Sequence, residues 1–236
     1  MDRDIIQALV KAVELKDQST AAHTWRVALY TMALAEALDV PRDRVEQLML
    51  GAVLHDVGKI DIPQAILSKP GRLTEDEQAV IRRHTVLGHE RLLRMGEVEP
   101  VVLQIVRSHH ERVDGSGYPD GLIGRAVPEP ARAFAVIDSF DAMTSFRPYR
   151  PRVDAESARR ALGEIQELAG VWYCDHAVQA FTRLFESGRL DWILRYFNDP
   201  VEVHGLPHLP DQDDLVAVTR QQVRPSVIAA RRAGVD

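Results

Sequence analysis

The sequence predicts an all-α fold. Apolar residues recur at three- and four-residue spacing along most of the chain, and no segment alternates apolar and polar residues as a half-buried strand does. Capping and helix-stopping residues also stand where the periodic segments begin and end. Ile5, Ile6, Leu9, Val10 and Val13 form the first stripe. Ser19 or Thr20 can cap a second helix carrying His23, Val27, Tyr30, Leu34 and Leu38. Pro41 suits the first turn of a third, with Val45, Leu48, Met49, Ala52 and Val53 as its apolar face and Gly58 placed to stop it. Thr74 and Glu77 form a capping box, and the charged helix they open carries His84 at its end. Pro100 opens a helix through Val101, Val102, Ile105 and Val106 that ends near His109. Residues 113–130 hold Gly115, Gly117, Pro119, Gly121, Gly124, Pro128 and Pro130, and read as a loop of functional length. Helical spacing resumes over 131–145, 154–169 and 175–187.

Composition narrows the function. A chain of 236 residues, 45% hydrophobic, is expected to be one domain with an appendage: residues 1–187 as the domain and 188–236 as a C-terminal extension. The extension reads as a short helix over 190–197 followed by a solvated tail, with a docking or dimerising helix as the alternative; that alternative is the basis for a homodimer. The net charge of −6 offers no global field for a nucleic acid polymer, so attraction of an anionic substrate must be local. The single Cys174 forms no internal disulfide, and neither a signal peptide nor an apolar run long enough to span a membrane is seen. The expectation is a cytoplasmic protein with no membrane partner.

Chemistry concentrates in His23, His55, His84, His109 and His110, joined by Asp56 and Asp138. Imidazole and carboxylate together suit borderline first-row metals. Seven such side chains exceed one tetrahedral site and match two adjacent metals, with Asp56 as the natural bridge. Each residue alone has a plain alternative. His23 on an amphipathic helix is ordinarily a hydrogen-bonded core histidine, and His84 on a charged helix is ordinarily exposed. Two adjacent imidazoles at 109 and 110 rarely serve packing, and Asp138 sits among Val136, Ile137 and Phe140, where a carboxylate is costly to bury unless paired or metal-bound. His89 points off the face of His84, and His176, His204 and His208 read as solvated.

These residues carry a family resemblance. The stretches His55-Asp56-Val57-Gly58-Lys59, His109 through Pro119 with its Gly117-Tyr118-Pro119 segment, and Asp138 through Ser145 running into Arg147-Pro148-Tyr149-Arg150 resemble HD-GYP domains, a branch of the HD phosphohydrolase superfamily. The resemblance spans roughly residues 10–187. It implies an HD-domain helical bundle with extra HD-GYP helices, acting as a phosphodiesterase on cyclic di-GMP or a related cyclic dinucleotide. It implies His23, His55, Asp56, His84, His109, His110 and Asp138 as ligands of two divalent transition metals, iron or manganese first, with nickel, zinc or cobalt as alternatives. Lys59 and Asp56 are the implied catalytic residues. Arg147 and Arg150 match phosphate-holding positions, and Gly115, Tyr118 and Pro119 belong to the loop beside the substrate. Ser19 replaces the glutamate that supports a third metal in some members, which favours two metals. Phe146 replaces a usual aspartate.

The expected reaction is in-line attack by a hydroxide held between the metals, giving pGpG and then GMP. The alternative is a signalling module that binds the dinucleotide, or a diguanylate cyclase partner through the glycine-rich loop, with catalysis weak or lost. A nucleotide phosphohydrolase is the third reading; Gly117-Tyr118-Pro119 and the paired histidines argue against it.

Overall fold

A computed structural model describes residues 1–17, 20–97, 99–145 and 155–196. Among these residues there are eleven α-helices: α1 (Arg3–Lys16), α2 (Thr20–Ala37), α3 (Arg42–Leu54), α4 (Gln64–Leu67), α5 (Glu75–Arg82), α6 (His84–Arg94), α7 (Pro100–Ser108), α8 (Glu129–Thr144), α9 (Ala155–Glu167), α10 (Asp175–Glu186) and α11 (Asp191–Tyr196). Short 3-10 turns span Val57–Asp61 and Gly124–Ala126. The described residues contain no strand, only isolated bridges pairing Asp114 with Ile123 and Ala169 with Tyr173.

The caps follow the sequence. Asp2 accepts from the Asp4 N–H at 2.8 Å to start α1. At α5, Thr74 Oγ1 accepts from the Glu77 N–H at 3.3 Å while Glu77 accepts from the Thr74 N–H at 2.8 Å. Two boundaries differ from expectation. Pro130 lies in the first turn of α8 rather than in the loop, where its missing N–H costs no hydrogen bond. The charged helix expected to end at His84 breaks instead at Arg83, and His84 opens α6. The reason is local: His84 Nδ1 donates to Ile81 O at 2.8 Å and Thr85 Oγ1 donates to Arg82 O at 3.1 Å. Side chains thus satisfy the carbonyls at the end of α5.

Two apolar clusters hold the helices. The larger joins α2, α3 and α7 to α8 through α11, with Tyr30, Phe140, Phe181 and Phe185 meeting edge to face at centroid distances of 5.0–6.2 Å. Leu190 and Ile193, from the start of the C-terminal extension, are buried in it. The smaller cluster gathers Leu9, Leu54, Val57, Leu92, Val102 and Val106. Each fully buried side chain of this kind contributes about 1.5–3 kcal/mol. His55 and Asp56 stand between Leu54 and Val57, so packing of their chain neighbours fixes where the pair points.

Gly58 does not stop α3. That helix ends at Leu54, and Gly58 lies in the 3-10 turn that follows. Its role is close approach: a Cβ there would collide with the His84 carbonyl oxygen and lie 2.5 Å from the Gly88 nitrogen, both backbone atoms of α6.

Candidate metal centre

The seven predicted side chains come together from five parts of the chain. Their donor atoms form three overlapping groups, each with all atoms within 4.8 Å: His84, His109 and His110; His23, His55 and Asp138; and His55, Asp56 and His109. Asp56 faces both sides. Its Oδ2 lies 3.3 Å from His55 Nε2 and its Oδ1 lies 3.4 Å from His84 Nε2. Asp138 Oδ1 is 3.5 Å from His23 Nε2 and 3.9 Å from His55 Nε2.

Helix ends aim the histidines. His55 caps the C-terminus of α3, His109 caps that of α7, and His84 follows the end of α5. Each donates its Nδ1–H back to a carbonyl of the preceding turn: His55 to Ala52 at 2.6 Å, His84 to Ile81 at 2.8 Å, and His109 to Ile105 at 3.0 Å. A carbonyl only accepts, so the proton sits on Nδ1 and the Nε2 lone pair points inward. The negative ends of three helix dipoles therefore face one small volume.

His23 is aimed differently. Its Nδ1 donates to Asp141 Oδ2 at 2.7 Å. Arg26 grips the same carboxylate, from Nε to Oδ1 at 2.6 Å and from Nη2 to Oδ2 at 3.0 Å, and also donates to Ser145 Oγ at 2.6 Å. Burial opposes ionisation of Asp141, but Arg26 and His23 outweigh it and hold the carboxyl well below the usual range. Asp141 and Arg26 were not singled out in the sequence. Spacing places each on the face of a candidate ligand, three residues beyond Asp138 and His23, but does not show that the two pair.

The donor set fits cations. With protons on Nδ1, the His23 and His55 Nε2 atoms face each other at 3.2 Å, and those of His84 and His109 at 3.3 Å. Two lone pairs at that distance repel unless a positive charge lies between them. Burial pushes the His110 imidazole down to about 4 and holds His109 and His84 below their ordinary values, so all three favour the neutral form that can bind a cation. Burial opposes charge on His55, yet Asp56 and Asp138 raise its pKa, so a proton and a metal compete there for the same nitrogen. This His/Asp cluster can hold metal.

Lys59 stands beside it. Its ammonium lies 2.7 Å from Asp56 Oδ2 and 3.2 Å from Asp17 Oδ2. Burial works against the charge, but the two carboxylates outweigh it and raise the lysine above its ordinary value. Asp17, like Asp141 and Arg26, has no motif that marks it in the sequence.

The glycine-rich loop is folded onto the cluster. The buried Glu111 carboxylate accepts from the N–H groups of Asp120, Gly121 and Leu122 at 2.7, 3.2 and 3.0 Å. Gly117 packs so closely that a Cβ would collide with the Arg112 nitrogen and come within 2.6 Å of His110 O. Tyr118, joined to Pro119 by a cis peptide, stacks on His110 with centroids 4.8 Å apart at 29°. Gly115 and Pro119 belong to the same loop without lining the pocket beside the cluster. Arg147, Arg150, Ser19 and Phe146 lie outside the described residues. His89 is half-buried and outside the donor groups, and His176 is exposed.

A sequence model of the HD-domain family matches residues 7–178. The chain belongs to the HD-domain family. Its relatives include the cyclic di-GMP phosphodiesterase response regulator RpfG of Xanthomonas campestris, 39% identical over 77% of this HD-domain chain and 48% of that protein. A cyclic di-GMP phosphodiesterase of Thermotoga maritima is 40% identical over 77% of the chain and 49% of the relative. The chain thus spans about half the length of these curated relatives. Among solved structures, a cyclic GMP-AMP-specific phosphodiesterase of Vibrio cholerae superposes with a TM-score of 0.62 at 20% identity, covering 95% of this chain and 59% of the other. That likeness supports the HD-domain helical fold. No described helix is long and apolar enough to cross a membrane.

Proposed function

We propose that this HD domain is a metal-dependent phosphodiesterase that hydrolyses cyclic di-GMP to pGpG and onward to GMP. The observation that carries this reading is Asp56, whose two oxygens face the two halves of a histidine cluster while Lys59 contacts the same carboxylate. The names of relatives at 39–40% identity support the substrate class. His23, His55 and Asp138 would hold one divalent ion, His84, His109 and His110 a second, and Asp56 would bridge them. Iron or manganese suits this donor set first, with nickel, zinc or cobalt as alternatives. Such ions, when bound, supply Lewis-acid polarisation of a phosphate and a nucleophile at neutral pH.

The chain's own residues do the rest. Asp141 and Arg26 keep His23 in one tautomer and one orientation. Lys59, kept charged by Asp56 and Asp17, places a fixed cation beside the phosphate as charge develops. The same ammonium can steady the departing 3′ oxygen by its charge or by giving it a proton. Tyr118 covers His110 and limits water on that side. Arg147 and Arg150 are proposed to hold phosphate from the segment between α8 and α9.

The test is anaerobic purification with metal analysis, then chromatography of cyclic di-GMP products, with His55→Ala and Asp56→Ala alongside. Metal-replete wild type should yield pGpG and GMP, and both variants should lose turnover. A wild type with a full metal complement and no turnover refutes the enzyme reading. Unchanged turnover in both variants refutes the assigned site, and about three metals per chain would refute the binuclear reading.

A further inference from the structure

A pocket opens beside the cluster, bounded by His109 and His110 and carrying Arg82, Arg112, Ser116 and Tyr118 on its walls. The candidate metal ligands do not account for its two arginines. Among the described residues neither Arg82 nor Arg112 makes a salt bridge.

Arg112 is held in place. Its guanidinium carbon lies 3.4 Å from the centre of the Trp172 ring. The Val113 and Asp114 N–H groups donate to Trp172 O at 3.1 Å and Val171 O at 3.0 Å, which ties the arginine's own segment to the tryptophan's. A guanidinium stacked flat on indole keeps its edge N–H groups available in its plane. One of them reaches Ser116 Oγ at 3.4 Å, a weak contact that leaves the other edge donors for a ligand. Arg82, in the last turn of α5, has its guanidinium carbon 5.2 Å from the Tyr118 ring centre, and Tyr118 stacks on His110. Arg82 is thus separated from the histidine cluster by one aromatic ring.

We propose that Arg82 and Arg112 form a second phosphate subsite, which holds whichever phosphate of the substrate is not being cut. This rests on the phosphodiesterase reading above. A cyclic dinucleotide closes one ring through two phosphodiesters, so with one at the metal cluster the other lies across the ring. Hydrolysis adds the hydroxyl of water to phosphorus, breaks the bond to the 3′ oxygen, and leaves a proton on that oxygen. The cut phosphate becomes a 5′-terminal monoester. For the second cut the linear product turns end for end: its remaining diester moves to the cluster, and its terminal phosphate takes the arginine seat. A monoester carries up to two negative charges where the diester carried one. Charge-assisted bonds from two guanidiniums strengthen accordingly, so the subsite matters more for the second cut than for the first.

The experiment compares wild type, Arg82→Gln, Arg112→Gln and Arg112→Lys as metal-replete full chains on three substrates. These are cyclic di-GMP, pGpG, and bis(p-nitrophenyl) phosphate, which has a diester but no second phosphate to seat. In both glutamine variants KM for pGpG should rise about tenfold or more. KM for cyclic di-GMP should rise less, pGpG should accumulate, and turnover of the small diester should not change. Calorimetric affinity for a phosphorothioate analogue of pGpG should fall by a similar factor, and Arg112→Lys should keep part of it. Arg82 is exposed at a helix end, so Arg82→Gln leaves the Arg112–Trp172 stack intact if Arg112→Gln unfolds. Unchanged KM for both dinucleotides overturns the subsite. So does an equal loss on all three substrates, which marks a structural role. A wild type inert on all three substrates overturns the phosphodiesterase reading and the subsite together, a pattern distinct from active wild type with unaffected variants.

Discussion

At the scale of single residues, the cluster depends on charges that hold other charges still. Lys59 touches Asp56 at 2.7 Å and Asp17 at 3.2 Å, so its ammonium stays cationic and fixed. Removing it should lower kcat more than it raises KM, because a preorganised cation acts where charge develops. We expect Lys59→Met to lose about 100-fold or more in kcat, with Lys59→Arg keeping more activity than Lys59→Met. Steady-state kinetics on cyclic di-GMP checks this, and an unchanged kcat would remove Lys59 from the machinery. Asp141 acts one step further out. Asp141→Asn weakens the acceptor that orients His23 and leaves the buried Arg26 without its counter-charge. Metal affinity should fall about 10- to 100-fold, as for other partners of ligating histidines. Stability should fall by about 3–5 kcal/mol, the cost of orphaning a buried charge. Metal titration and urea melts separate the two effects. An affinity loss without a stability loss would mean that Arg26 finds a new partner.

At the scale of elements, three histidines sit just beyond helix C-termini and spend Nδ1 on carbonyls the helices leave open. This explains what was legible in the sequence. The histidines, the carboxylates and most helix boundaries could be seen because residue type and spacing report them directly. The break before His84 could not, since no Gly or Pro marks it and side-chain bonds to Ile81 and Arg82 make it. Nor could the Arg26–Asp141 pair, which joins residues 115 positions apart. Gly58 looked like a helix stop because only the tertiary contact shows its purpose. Gly58→Ala should therefore act through the junction with α6. Its methyl meets the His84 carbonyl and the Gly88 nitrogen, and backbone atoms cannot rotate away. The turn must lift from α6, at about 1–3 kcal/mol. His84 should then drift from Asp56, so denaturant melts should show the loss and metal titration a weaker second equivalent. A variant with wild-type stability and affinity would show that the turn yields at no cost.

At the scale of the molecule, the cluster closes the fold. His23 lies on α2, His55 and Asp56 at the end of α3, His84 on α6, His109 and His110 at the end of α7, and Asp138 on α8. In the unfolded chain these groups are spread over residues 23–138 and present no common site. A metal that binds there binds only the native state, so its free energy of binding adds to folding. At about 100-fold excess over its dissociation constant a single ion contributes about 2.7 kcal/mol. For a chain of this size that amounts to a shift of about 5–10 °C in Tm. Stripping the protein with a chelator should lower Tm by at least this much, and returning iron or manganese should restore it. The shift should shrink in His110→Ala, which removes one donor, and persist in His176→Ala, whose imidazole is exposed on α10 away from the donor groups. Equal shifts in the two variants would mean that the stabilising ion binds somewhere other than this cluster. A wild type whose Tm ignores the chelator would mean that the helices hold the seven side chains together without it, and that their mutual repulsion is relieved by protons instead.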